Sequence, residues 1–188
     1  LYSATARIGF ETSQAVQPFV QATLGQRIYD LDIDRNGNRR DSSVYDFRGG
    51  IAFDLGEKLA GDIAVGYGGE EFDDSQISSL SGLTLNGSLV WSPRRLTTVT
   101  ATAQTSFNGS TNINENGSIT YAGSLTLQRD IRQDFTLTAP LLGSLIDYDS
   151  STREDVTGQA QIGAEWRFNR SLALIGSVGY EWVDSTDA

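Results

Sequence analysis

The amino-acid sequence predicts an all-β fold: an antiparallel up-and-down transmembrane β-barrel, laid out as a meander of about ten strands. Three observations predict it. Apolar and polar residues alternate with a period of two along most of the chain, the connections are short and long in turn, and aromatic residues gather at the strand ends.

The first strand is "YSATARIGFE", where Tyr2, Ala4, Ala6, Ile8 and Phe10 oppose Ser3, Thr5, Arg7, Gly9 and Glu11. In the second, Pro18, Val20, Ala22 and Leu24 oppose Gln17, Gln21, Thr23 and Arg27. The third sets Tyr45, Phe47, Ile51 and Phe53 against Asp46, Arg48 and Ala52, and the fourth sets Leu59, Ile63, Val65 and Tyr67 against Ala60, Asp62, Ala64 and Gly66. Leu83, Leu85, Leu89 and Trp91 mark the fifth, and Val99, Ala101, Ala103 and Phe107 the sixth. Ile119, Tyr121, Leu125 and Leu127 mark the seventh, facing away from Thr120, Ser124, Thr126 and Gln128. The eighth carries Phe135, Leu137, Ala139, Leu141 and Leu145, although Leu142 and Ile146 break its alternation. Ala160, Ile162, Ala164 and Trp166 define the ninth, and Leu174, Val178, Tyr180 and Trp182 the tenth. No helix is expected.

Short connections fall near "SQA", "LGEK", "SPRR", "DIRQ" and "FNRS" and recur every ~40 residues, as hairpins repeated in tandem would have them. Long ones fall at "DLDIDRNGNRRDSS", "GGEEFDDSQISS", "NGSTNINENGS" and "DYDSSTREDV". Short turns on one side and long loops on the other match a barrel in an outer membrane better than a sandwich in water. An aromatic girdle agrees with this. Phe10, Phe53, Trp91, Phe135 and Trp166 lie near the short turns, and Tyr45, Tyr67, Tyr121, Tyr180 and Trp182 toward the long loops. Amphipathic rings favour the headgroup level of a bilayer. The expected location is therefore the bacterial outer membrane, with its lipid and lipopolysaccharide as surroundings.

Composition removes whole classes of chemistry. The chain has 188 residues, with no Cys, no Met and no His. His-dependent triads, thiol nucleophiles and Cys/His zinc sites are thereby excluded. Paired acids are present, but none stands at a catalytic spacing, so no enzyme, cofactor or metal is expected. A net charge of −10 with a single lysine, Lys58, argues against nucleic acid. One stretch imitates a metal site: in "DIDRNGNRRDSS", Asp32, Asp34, Asn36 and Gly37 follow an EF-hand loop. The twelfth place holds Ser43, Arg39 and Arg40 would repel the ion, and strands flank the loop. Asn36-Gly37 reads as a turn.

The stretch "VGYGGEEFDDSQISSLSGLTLNGSLVWSPRRLTTVTATAQ", residues 65–104, resembles the outer-membrane proteins grouped as putative β-barrel porin family 2. The resemblance lies in a G-Y strand end, an acidic E-F-D-D loop start and a strand ending W-S-P-x-x-L-T-T-V-T. It implies a Gram-negative outer-membrane barrel, porin-like, with no catalytic residues to carry over. Members of that family are longer, and many such barrels close on a terminal aromatic, whereas this chain ends "WVDSTDA". Ten strands also place both ends beside the long loops. Residues 1–188 are therefore expected to be one β-barrel domain that is part of a larger barrel of twelve or more strands, the alternative being a ten-stranded barrel that closes on itself.

Two sets of charged residues are candidate functional groups. Arg7, Glu11, Arg27, Asp46, Arg48, Asp62, Glu165 and Arg167 are expected to line the lumen, either as pairs that plug it or as a lining that tunes permeation. Glu70, Glu71, Asp73 and Asp74 in one loop and Asp147, Asp149, Glu154 and Asp155 in another would form an acidic rim that enriches cations. The expected function is a passive channel for small solutes with a weak cation preference. The alternative is a structural or anchoring barrel, its lumen plugged, whose acidic loops bind a surface partner. Glycines on the lipid face, Gly49, Gly87 and Gly123, suit either a neighbouring barrel or strand curvature.

Overall fold

A computed structural model of the chain describes residues 2–28, 41–73, 79–109, 117–149 and 153–186. Every described element is a strand: β1 (Tyr2–Gly9), β2 (Val16–Arg27), β3 (Ser42–Asp54), β4 (Leu59–Phe72), β5 (Leu80–Arg94), β6 (Thr97–Gly109), β7 (Gly117–Arg132), β8 (Phe135–Tyr148), β9 (Glu154–Arg167) and β10 (Ala173–Ser185). They form one antiparallel sheet in chain order. The sheet is open, with β1 and β10 as its two edges.

The short turns have specific causes. Asp54 accepts a hydrogen bond from the Gly56 amide at 3.1 Å, and Gly56 takes a φ of 66°, which costs glycine nothing. Between β5 and β6, Arg94 pairs with Thr97 across a two-residue turn. A register shift just before it, between Trp91 and Arg94, coincides with Pro93. A second shift, between Asp130 and Arg132, precedes the β7–β8 turn. Bulges of this kind sharpen the twist next to a turn.

Register confirms that alternation sorts the sheet into two faces. One row runs Ile8, Val20, Gly49, Val65, Leu85 across β1–β5, and a second runs Leu89, Ala101, Leu125, Leu141, Ala160, Tyr180 across β5–β10. These belong to the apolar face. On the other lie Arg7, Gln21, Arg48, Gly66, Thr84 and, further along, Ser88, Thr102, Ser124, Leu142, Gln159, Glu181.

Burial follows these faces in the reverse of a water-soluble protein. The buried side chains are Phe19, Ala64, Leu80, Ser42, Asp46, Glu70, Thr84 and Asp155, and all sit on the polar face. Leu83 at 69% and Val178 at 73% exposure typify the apolar face. A contiguous apolar surface of this extent marks a membrane or a partner, not water. Apart from β1, the strands run 12 to 16 residues, longer than the ~9–11 that a tilted strand needs to cross a bilayer. Their ends therefore extend past the hydrocarbon.

Candidate functional site

The polar face divides into two halves of different chemistry. On β1–β5 it is charged and cross-braced. Arg7 on β1 reaches Asp62 on β4, with Nη1 2.8 Å from Oδ2. Three strand spacings separate β1 from β4, about 14 Å on a flat sheet. One arginine can close that gap only where the polar face is concave. On the way its guanidinium lies 3.4 Å over the Phe19 ring of β2, a cation–π contact. Arg27 on β2 pairs with Glu70 on β4 at 2.8 Å, and the Ser42 hydroxyl donates to the same carboxylate at 2.5 Å. Arg48 sits 2.7 Å from Asp46 and donates to the Thr84 hydroxyl on β5 at 3.3 Å.

Glycines make room for these side chains to lie flat on the wall. A Cβ on Gly66 would meet the Phe47 carbonyl at 2.0 Å and the Arg48 Cγ at 2.8 Å. One on Gly68 would stand 2.7 Å from an Asp46 carboxylate oxygen. Glu70 is fully buried, so its charge relies on Arg27 and Ser42 for compensation.

On β6–β10 the middle of the same face is built from hydroxyls and amides, with charged groups such as Arg167, Glu165 and Asp155 toward its ends. Thr102 and Ser124 share a hydrogen bond of 2.7 Å, and Ser144 and Thr157 one of 2.6 Å. Asn108 donates to Thr120 at 3.0 Å. Between these pairs lies a cleft of about 440 Å³, lined by Thr102, Gln104, Ser124, Leu142, Ser144, Thr157, Gln159 and Glu181 among others.

The expected lumen charges are brought together in part. Arg7 with Asp62, Arg48 with Asp46, and Arg167 with Glu165 at 2.6 Å form pairs. Two expectations are corrected. Glu11 is not on the wall: β1 ends at Gly9, and the Thr12 amide bonds back to the Phe10 carbonyl, which leaves Glu11 in an exposed turn. Glu70 is not on the rim: the β3–β4 ladder runs on through Ser42–Phe72, so Glu70 stays within the sheet as the partner of Arg27.

The rest of the rim is similarly carried by strand ends. Glu71 lies in β4, Asp147 in β8, and Glu154 and Asp155 in β9, while Asp73 and Asp149 directly follow strands. Asp155 is buried and held by Arg153 at 2.8 Å, by the Tyr148 hydroxyl at 2.9 Å and by Ser185. Glu71, Asp73, Asp147, Asp149 and Glu154 are exposed. Asp74 and the stretch 32–40 of the EF-hand-like loop lie outside the described residues.

The girdle residues within strands all occupy the apolar face, and Phe10 follows the end of β1. Trp166 packs at a tilt against Phe168 with ring centroids 4.4 Å apart and donates its indole N–H to Asp134 at 3.1 Å, and the Tyr67 hydroxyl bonds Ser81 at 2.8 Å. Trp166 and Tyr67 thus each show an apolar body and a satisfied polar tip, as interfacial aromatics do. Sequence reasoning missed Phe19, Ser42, Thr84 and the hydroxyl pairs. The turn between β5 and β6 fixes Ser88 opposite Thr102, but Thr102 meets Ser124 across the long β6–β7 connection, whose register no short turn sets.

Compared with known proteins, the chain matches a family model described as "Putative beta-barrel porin 2" over residues 1–188. No curated protein and no solved structure matches it.

Proposed function

The chain belongs to this β-barrel porin family, and from that premise we propose that it forms wall of a passive outer-membrane channel for small solutes, with a weak preference for cations. The observation that carries the reading is the inverted burial, with ion pairs and hydroxyls inward and aliphatic residues outward. Lipid would cover the apolar face, and the concave polar face would border water. In lipid the free backbone groups along β1 and β10 need partners, so the barrel closes through both edges, either with further strands or by β1 meeting β10. Exposed Asp73 and Asp149, just past the strand ends, support the cation preference. Glu71, Asp147 and Glu154 keep the register of the apolar face and add only to the field around the mouth, and the pairing of Glu70 and Asp155 with arginines keeps the preference weak.

A structural barrel with a filled lumen is the second reading, supported by the side chains packed across β1–β5. Planar-bilayer conductance of the intact protein, under a salt gradient, separates the two. Discrete steps with a cation-favouring reversal potential are expected. A silent bilayer, from protein whose heat-modifiable gel mobility shows it folded, would leave the filled barrel.

A further inference from the structure

We infer that the cleft on the polar face of β6–β10 is a binding site for neutral, polyhydroxylated solutes, that is, mono- or disaccharides. The inference rests on the channel reading for its meaning, since it names what such a channel would pass.

Three features of the cleft point to that class. Its volume of about 440 Å³ falls in the range of small-ligand pockets, ~300–1,000 Å³. Its polar groups are of the kind that both give and accept. A hydroxyl has one donor and two acceptor sites, and a glutamine amide offers both. Within the Thr102–Ser124 and Ser144–Thr157 pairs one donor is used internally, so each pair keeps one free donor and spare acceptors. That combination complements sugar hydroxyls, which also give and accept. A phosphate or carboxylate would find no cation among the lining residues, whose one charge is the Glu181 carboxylate.

The third feature is Leu142. Its side chain breaks the alternation of β8 and stands on the polar face, 45% exposed, in the row between Ser124 and Gln159. An exposed leucine encircled by hydroxyls and amides has no lipid to face there. A sugar ring presents hydroxyls at its edge and C–H groups on its face, and Leu142 supplies the apolar surface for the latter. The charged half offers nothing comparable, because Arg27, Glu70 and Arg48 are engaged with groups on other strands, and Asp46 is a buried carboxylate beside Arg48 and not a hydroxyl or amide.

The test is saturation-transfer NMR on the intact, folded protein in a zwitterionic detergent, with maltose as the probe and glucose against glucuronate as the charge comparison. Saturable maltose binding is expected. Thr102→Val and Ser144→Ala should each weaken it about fivefold, and Leu142→Ser should weaken it as well. Glucose should bind better than glucuronate, and Glu181→Gln should narrow that difference. Only variants with wild-type heat-modifiable mobility are compared, so that a folding defect is not read as lost binding. No saturable binding, or unchanged affinity in the three folded variants, would overturn the inference, and so would tighter binding of glucuronate. Ion current without sugar binding defeats this inference and leaves the channel. Sugar binding in a silent barrel does the reverse.

Discussion

The two halves of the polar face share a strand pattern yet do opposite things with it. On β1–β5 the side chains are long, charged and turned toward each other, bracing β1 to β4, β2 to β4 and β3 to β5. On β6–β10 they are short and bond mainly to the adjacent strand, Thr102 to Ser124 and Ser144 to Thr157. Cross-bracing over two or three strands bends a sheet and fills the space above it. Nearest-neighbour pairing leaves that space open. The difference teaches that alternation alone makes a wall, and that the lengths of its inward side chains decide whether the wall is a prop or a passage.

The comparison breaks most sharply at Glu70. Arg27→Ala should strand this fully buried carboxylate and lower stability by about 3 kcal/mol, read by denaturant unfolding of the folded protein. Thr157→Val, in the other half, should cost only about 1 kcal/mol. Equal losses would erase the distinction.

A second contrast uses glycine. Gly66→Ala places a methyl 2.0 Å from the Phe47 carbonyl and should cost about 1–3 kcal/mol. Gly163→Ala meets nothing closer than 3.7 Å and should fold like the parent. Thermal shifts of gel mobility would compare the two directly.

The smallest effect belongs to the more exposed pair. Arg7 and Asp62 keep 40% and 29% of their side-chain surface accessible. Asp62→Asn should therefore cost no more than about 1 kcal/mol, and less at high salt. A loss as large as that of Arg27→Ala would show that water reaches this pair far less than its exposure indicates.

Much of the fold was legible because a period of two has only one structural meaning over this many segments. Ala101, Thr102 and Ala103 already show which way each side chain faces, and "LGEK" and "SPRR" show where hairpins turn. Strand ends were less legible. Acidic residues such as Glu70 and Asp147 look like loop, yet backbone pairing continues through them, because a hairpin ladder tolerates charge once it has left the hydrocarbon. The charged partners were half legible. Arg48 and Asp46 are two apart on one strand, which sequence spacing reveals, whereas Arg27 and Glu70 meet only through curvature that no local pattern encodes. Leu142 was visible as an irregularity, but its place beside the hydroxyl pairs needed the register of four strands.

The most direct test of the inverted wall uses the absence of cysteine in the chain. Single cysteines are placed in turn at Ser124, Leu125, Thr126, Leu127 and Gln128 on β7, in the intact protein inserted in bilayers. Each is probed with a water-soluble maleimide and, once it carries a fluorophore, with a lipid-confined quencher. Alternation is expected, with positions 124, 126 and 128 labelled from water and positions 125 and 127 quenched from lipid. Uniform labelling along β7, or alternation with the two faces exchanged, would contradict the account.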